Sequence, residues 1–194
     1  MAPAFGALGL VLLMPLLLAA PPAGSPTPES CAAAKPESKL MECHKAAVGL
    51  ASLHEYAQAI AIEERVQERL PMNAEVAASL ARMYELGTTN TARAIALYHA
   101  ALHATSGYPP ALLGLGSIME HKGEMDIAAR YYGRAVRENP ERPLFKVRLA
   151  EVLVQSGRET EAQPLLQEVV KKWPGSDEAA SASKLMSRTV LAKP

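Results

Sequence analysis

Chemistry could gather at only a few places in this sequence. Cys31 and Cys43 are its two cysteines, twelve residues apart. In an exported protein such a pair most simply forms one disulfide, worth about 2–4 kcal/mol when unstrained. In the cytosol the same residues would be two free thiols. Cys43–His44 lacks the nearby second cysteine that haem attachment requires. His99 and His103 stand four apart, a spacing that can bring two imidazoles to one metal ion. No third ligand lies close in sequence, and an alanine-flanked polar pair reads as solvated surface.

Two further strings borrow catalytic residue types. His54–Glu55 opens like a metalloprotease motif, but Gln58 stands where the second histidine is needed. Ser117, Glu120 and His121 supply the types of a hydrolytic triad. Neighbours on one helix cannot build the chain from nucleophile to base to orienting group. A glycine-rich phosphate loop and a nucleophile elbow are both missing from the sequence. The reading is therefore non-enzymatic: no catalytic residue, no metal site and no cofactor.

Nor does charge suggest a polyanionic partner. Twenty basic and twenty acidic side chains cancel. Lys171–Lys172–Trp173 is basic and aromatic, yet two lysines at a helix C-terminus complement its dipole. Nucleic-acid binding is not expected.

These side chains are positioned by repeated elements. Leu115–Gly116, Met119, Gly123, Ala128, Tyr132, Ala135 and Pro140 recur 34 residues later as Leu149–Ala150, Leu153, Gly157, Ala162, Leu166, Val169 and Pro174. Such units cannot bury their apolar faces alone and must stack. Counting backwards gives units 40–73, 74–108, 109–142 and 143–176. The second carries one extra residue in Gly87–Thr88–Thr89–Asn90, a turn between helices. In the first, His54 occupies the glycine column and Glu63 the aromatic one. Degeneracy of this kind suits a terminal unit with one face towards solvent.

Each unit reads as a helical hairpin. In the third, the pattern predicts helices over 111–121 and 125–138, with Gly123 ending the first in the left-handed conformation. Tyr84, Tyr98 and Tyr132 fall in packing columns, whereas Tyr131 points elsewhere. Pro164 should lie in a first turn, so the fourth unit's second helix is expected to start near Glu161. After Pro174, Ser176 or Asp177 caps a last helix over 177–190, with Leu185, Met186 and Val190 as apolar anchors.

The N-terminal segment has a different character. Residues 2–20 carry no charge, and small residues follow at Ala19, Ala20 and Ala23. Residues 1–23 resemble a secretory signal peptide, cut after Ala19 or Ala23. The alternative is an uncleaved anchor, the one route by which this chain would meet a membrane. Residues 24–38, rich in proline and poor in apolar side chains, are expected to be a disordered linker.

These columns resemble the tetratricopeptide repeat family: an aliphatic–small pair, a glycine turn, an alanine–aromatic–alanine run and a closing proline. The segment LARMYELGTTNTARAIALYHAAL in the second unit is also similar to Sel1-like repeats. The resemblance implies an all-α fold over 39–190, a right-handed solenoid of four helix-turn-helix repeats and a C-terminal capping helix. It also implies a concave groove, lined by first helices, that binds a protein or peptide. Carried over column by column, the groove would hold Arg82, Glu85, Leu113, Ser117, Glu120, His121, Arg148, Glu151 and Gln155. The family's carboxylate-clamp members place lysines and asparagines in the first unit's groove columns, where this sequence has His44, Val48 and Ser52. The expected role is an adaptor of the secretory or cell-envelope compartment. Alternatives are an assembly component of an envelope machine (secretion, outer-membrane biogenesis or polysaccharide export) and an enzyme's accessory subunit.

Overall fold

The computed structural model describes residues 25–191, with side chains to 188. The expected signal peptide over 1–23 and the side chain of Val190 lie outside this range. Every regular element among the described residues is a helix: α1 (Pro28–Ala32), α2 (Glu37–Ser52), α3 (Tyr56–Arg69), α4 (Ala74–Gly87), α5 (Thr91–Ala104), α6 (Pro109–His121), α7 (Met125–Glu138), α8 (Pro143–Gln155), α9 (Glu159–Lys172) and α10 (Asp177–Leu191). From α2 onward each helix packs on the next. Contacts also join α2 to α4, α4 to α6 and α8 to α10. That neighbour-to-neighbour pattern is a solenoid.

The turns inside the units follow one chemical rule. Gly123 sits at φ +76° and Gly157 at φ +71°, where a left-handed residue after the C-cap turns the chain. After α6, Gly123 N–H donates to the Glu120 carbonyl (3.0 Å) and Glu124 N–H to Met119 (2.9 Å). After α8, Gly157 and Arg158 repeat the pair on Val154 and Leu153 (3.1 and 2.8 Å). The first unit makes the same double bond without glycine. His54, at φ +65°, donates to Ala51, and Glu55 to Leu50, both at 3.0 Å. Only the second unit departs. Gly87 remains helical, and its bare Cα faces Tyr56; an added Cβ would stand 2.3 Å from that residue's Cβ.

Other helix starts are capped by short polar side chains, which satisfy the orphan donors of a first turn. Asn73 accepts from Glu75 and Val76 N–H (3.0 and 3.1 Å), and Asn90 from Arg93 N–H (3.1 Å). Ser176 caps α10 through Ala179 N–H (3.1 Å). α9 begins at Glu159, not near Glu161, because the turn at Gly157 leads straight into it. Pro164 therefore lies inside the helix, and its ring is on the exposed side.

Four apolar clusters run along the stack. One joins α1 to α4, the next spans α4 to α8, a small one holds Leu112, Ala135 and Phe145, and the last joins α8 to α10. Alanines buried at the helix crossings (Ala77, Ala94, Ala128, Ala150, Ala162) let the helices approach closely. Among the described side chains of α10, Ala179 and Ala182 are buried and Leu185 and Met186 are half-covered.

The expected disordered linker over 24–38 needs correction. Within it α1 is built by a capping box: Ser30 N–H donates to Thr27 Oγ1 (3.2 Å), and Thr27 N–H to Ser30 Oγ (2.9 Å). Cys31 is fully buried and disulfide-bonded to Cys43 on α2. Arg69 at the end of α3 donates to the carbonyls of Ala32 and Ala34 (3.0 and 3.3 Å). A buried sulfur and a cationic clasp hold a segment that proline content alone would leave loose.

Candidate functional site

The groove-column residues lie on α4, α6 and α8, and the structure gathers six of the nine around one recess. This recess, about 670 Å³, is lined by Arg82, Leu113, Ser117, Glu120, His121 and Arg148 among others. The remaining three support it. Glu151 accepts from Arg148 (3.1 Å), Gln155 donates to Glu120 Oε1 (3.2 Å), and Glu85 accepts from Tyr98 (2.7 Å).

Two tyrosines from the second helices reach this face. Tyr98 crosses beneath α6 at Gly114, and Tyr132 at Gly116. Added Cβ atoms there would stand 2.1 and 2.4 Å from the rings. Tyr98 donates to Glu85, and Tyr132 to Glu120 Oε2 (3.1 Å), so each phenol ends on a carboxylate of a first helix. Burial, reinforced by those carboxylates, pushes both phenols well above the usual tyrosine range. They are permanent donors. Tyr84 repeats the motif towards α3, donating to Glu64 (2.6 Å), which raises its phenol too. The packing columns named these tyrosines as core; that Tyr98 and Tyr132 also line the recess was missed. The small residues opposite, Gly114 and Gly116, were the available signal.

A second recess of about 350 Å³ adjoins on the side of the first unit. Val48, Ala51, Ser52, Tyr56, Met83 and Leu86 line it, and Arg82 borders both recesses. Val48 and Leu86 are 43% and 52% exposed, so this notch offers aliphatic surface to solvent.

His44 does not join it. This imidazole is buried, its Nδ1 2.7 Å from Glu63 Oε1 on α3 and its Nε2 3.6 Å from the exposed Glu75 on α4. The Glu63 hydrogen bond raises the His44 pKa against the opposing effect of burial. Burial raises the Glu63 carboxyl, with His44 pulling it down. A buried histidine–carboxyl hydrogen bond thus stands in the column that Tyr98 and Tyr132 occupy in later units. Glu63 in the aromatic column was the visible clue, and His44 as its partner was not.

The residues with catalytic types are otherwise engaged. His121 Nδ1 donates to the Ser117 carbonyl (2.8 Å), not to its hydroxyl, and Glu120 is committed to Tyr132 and Gln155. His99 and His103 are exposed on α5, with the His99 ring 6.4 Å from that of the half-buried Tyr131. Among the described residues no three His, Cys, Asp or Glu side chains are grouped for a metal ion. Nor is any described helix long and apolar enough to cross a membrane. Lys172 does more than complement a dipole. It donates to Glu141 (2.7 Å) and lies 5.0 Å from the Trp173 ring centre, as does Lys146, which is buried and paired with Glu168.

The family model described as Tetratricopeptide repeat matches residues 122–186. No curated protein matches the sequence. Among solved structures, a tetratricopeptide repeat protein from Parabacteroides merdae is similar at TM-score 0.65 and 16% identity, over 78% of this chain and 61% of its own. PilF from Pseudomonas aeruginosa is similar at 0.64 and 19%, over 78% of this chain and 71% of its own. YrrB, described as a TPR protein with an unusual peptide-binding site, is similar at 0.60 and 20%, over 78% of each chain. Identities this low speak to fold alone. Residues 122–186 thus match the tetratricopeptide repeat model, and the described helices as a whole share the all-helical solenoid fold of these structures.

Proposed function

We propose that the chain is a non-catalytic interaction module that holds an extended polypeptide segment along the face of α2, α4, α6 and α8. The continuous pair of recesses meeting at Arg82 carries this reading, because a row of clefts fits an extended chain better than a compact ligand. The peptide-binding site named for YrrB is consistent with it. A photocrosslinker placed at Ser117 should capture a partner that the same group on exposed Arg137 of α7 does not. Equal capture from both positions would remove the assignment.

We place the module in the secretory or cell-envelope compartment, on the strength of the uncharged N-terminal segment and the paired cysteines. The mature chain should lack its first 19–23 residues, as the two cleavage points imply, and show no titratable thiol. A chain starting at Met1 with two free thiols would refute export.

A further inference from the structure

Resting on the proposed groove, we infer that its occupant is an acidic segment bearing an aliphatic anchor. Charge complementarity points there. Glu120, the only carboxylate lining the larger recess, is already bonded to Tyr132 and Gln155. Glu85 is held by Tyr98, and Glu151 is turned to Arg148. Exposed Arg82 has no carboxylate within ion-pair distance among the described residues. The charged residues lining the two recesses are therefore two guanidiniums, Arg82 and Arg148, against one carboxylate, Glu120, with Arg82 unpaired at the junction. Arg148 lies further along, with hydrogen-bonding capacity beyond its single bond to Glu151.

A carboxylate matches the guanidinium fork as amides and cations do not. On the other side of Arg82, Val48, Ala51, Met83 and Leu86 form the notch, where an aliphatic side chain would cover surface now facing water. The occupant seats that anchor between α2 and α4, places an Asp or Glu on Arg82, and continues with acidic character towards Arg148. Phenol hydroxyls at the floor keep a free lone pair each while donating to Glu85 and Glu120, and can accept a backbone N–H from the same segment.

Selecting a phage-displayed random peptide library on the immobilised chain tests this. Enriched peptides should pair an aliphatic residue with Asp or Glu. Synthetic versions should bind about tenfold more weakly to R82E, as read by fluorescence polarisation. The double variant R82E/R148E should prefer versions with Lys in place of the acids. Ser117→Trp, checked by circular dichroism for unchanged helicity, fills the recess and should abolish capture. Peptides blocked by Ser117→Trp but lacking acidic enrichment, or indifferent to R82E, overturn the acidic occupant and leave the groove standing. Peptides indifferent to Ser117→Trp, or no enrichment at all, overturn the groove and this inference with it.

Discussion

The ring of Tyr98 occupies the space where a side chain at Gly114 would begin, 2.1 Å from a Cβ built there. Gly114→Ala must displace a buried phenol that is also tied to Glu85. Overpacking of this kind costs about 1–3 kcal/mol, against about 1 kcal/mol gained by removing glycine from a helix. Gly49→Ala is the matched control, since nothing lies within 4 Å of its Cβ. Urea midpoints should fall for Gly114→Ala and rise slightly for Gly49→Ala. Equal gains in both would show that the tyrosine floor yields freely.

The His44–Glu63 pair should make stability depend on pH. The folded pKa of His44 is raised above its ordinary 6.5, chiefly by the Glu63 hydrogen bond. Its contribution is therefore complete below 6.5 and is lost as pH rises through the folded value. Glu75 and Ser79 on α4 face the pair and act alongside it. The urea midpoint should decline as pH rises above 6.5, and His44→Ala should flatten that decline. The same variant strands a buried carboxylate and should cost about 3–5 kcal/mol. A decline unchanged in His44→Ala would assign it to other groups.

His54 holds a left-handed conformation that glycine adopts at no steric cost. His54→Gly gives up an edge contact between the His54 and Tyr56 rings, centred 5.8 Å apart. Relief of backbone strain should outweigh it, for a net gain of about 0.5–1 kcal/mol in thermal or urea unfolding. A loss of stability would mean that the ring contact dominates.

Removing the Cys31–Cys43 link should destabilise the first unit. The bond closes a twelve-residue separation, for which loop entropy gives about 3 kcal/mol. Hydrogen exchange of Cys31→Ser/Cys43→Ser should rise most in α1 and in the adjoining part of α3, where Arg69 grips it. A uniform rise through α10 would contradict neighbour-limited coupling.

Much of this fold was written in the columns. Gly123, Gly157, Ala128, Ala135 and Tyr132 do in space what their spacing implied, because each acts within its own unit or on the adjacent helix. His54 in a glycine column read only as terminal degeneracy, yet it holds the same left-handed turn as the glycines of later units. What escaped were relationships between columns. Gly114 and Gly116 become legible only when Tyr98 and Tyr132 are laid across them, and His44 meets Glu63 across nineteen residues of chain. α1 was hidden for another reason: a disulfide and a clasp by Arg69 overrode a composition that favours disorder. Val48, Ser52 and Arg82 of the second recess were legible as groove columns, whereas Tyr56 and Met83, which complete it, lie outside those columns.

The two ends of the described stack are closed in unlike ways, one by a covalent link and one by a helix whose described buried side chains are alanines. Units joined only to their neighbours bear load in series, like links of unequal strength. Freeing α1 from α2 requires a covalent bond to break, whereas α10 can part from α8 and α9 by loss of packing alone.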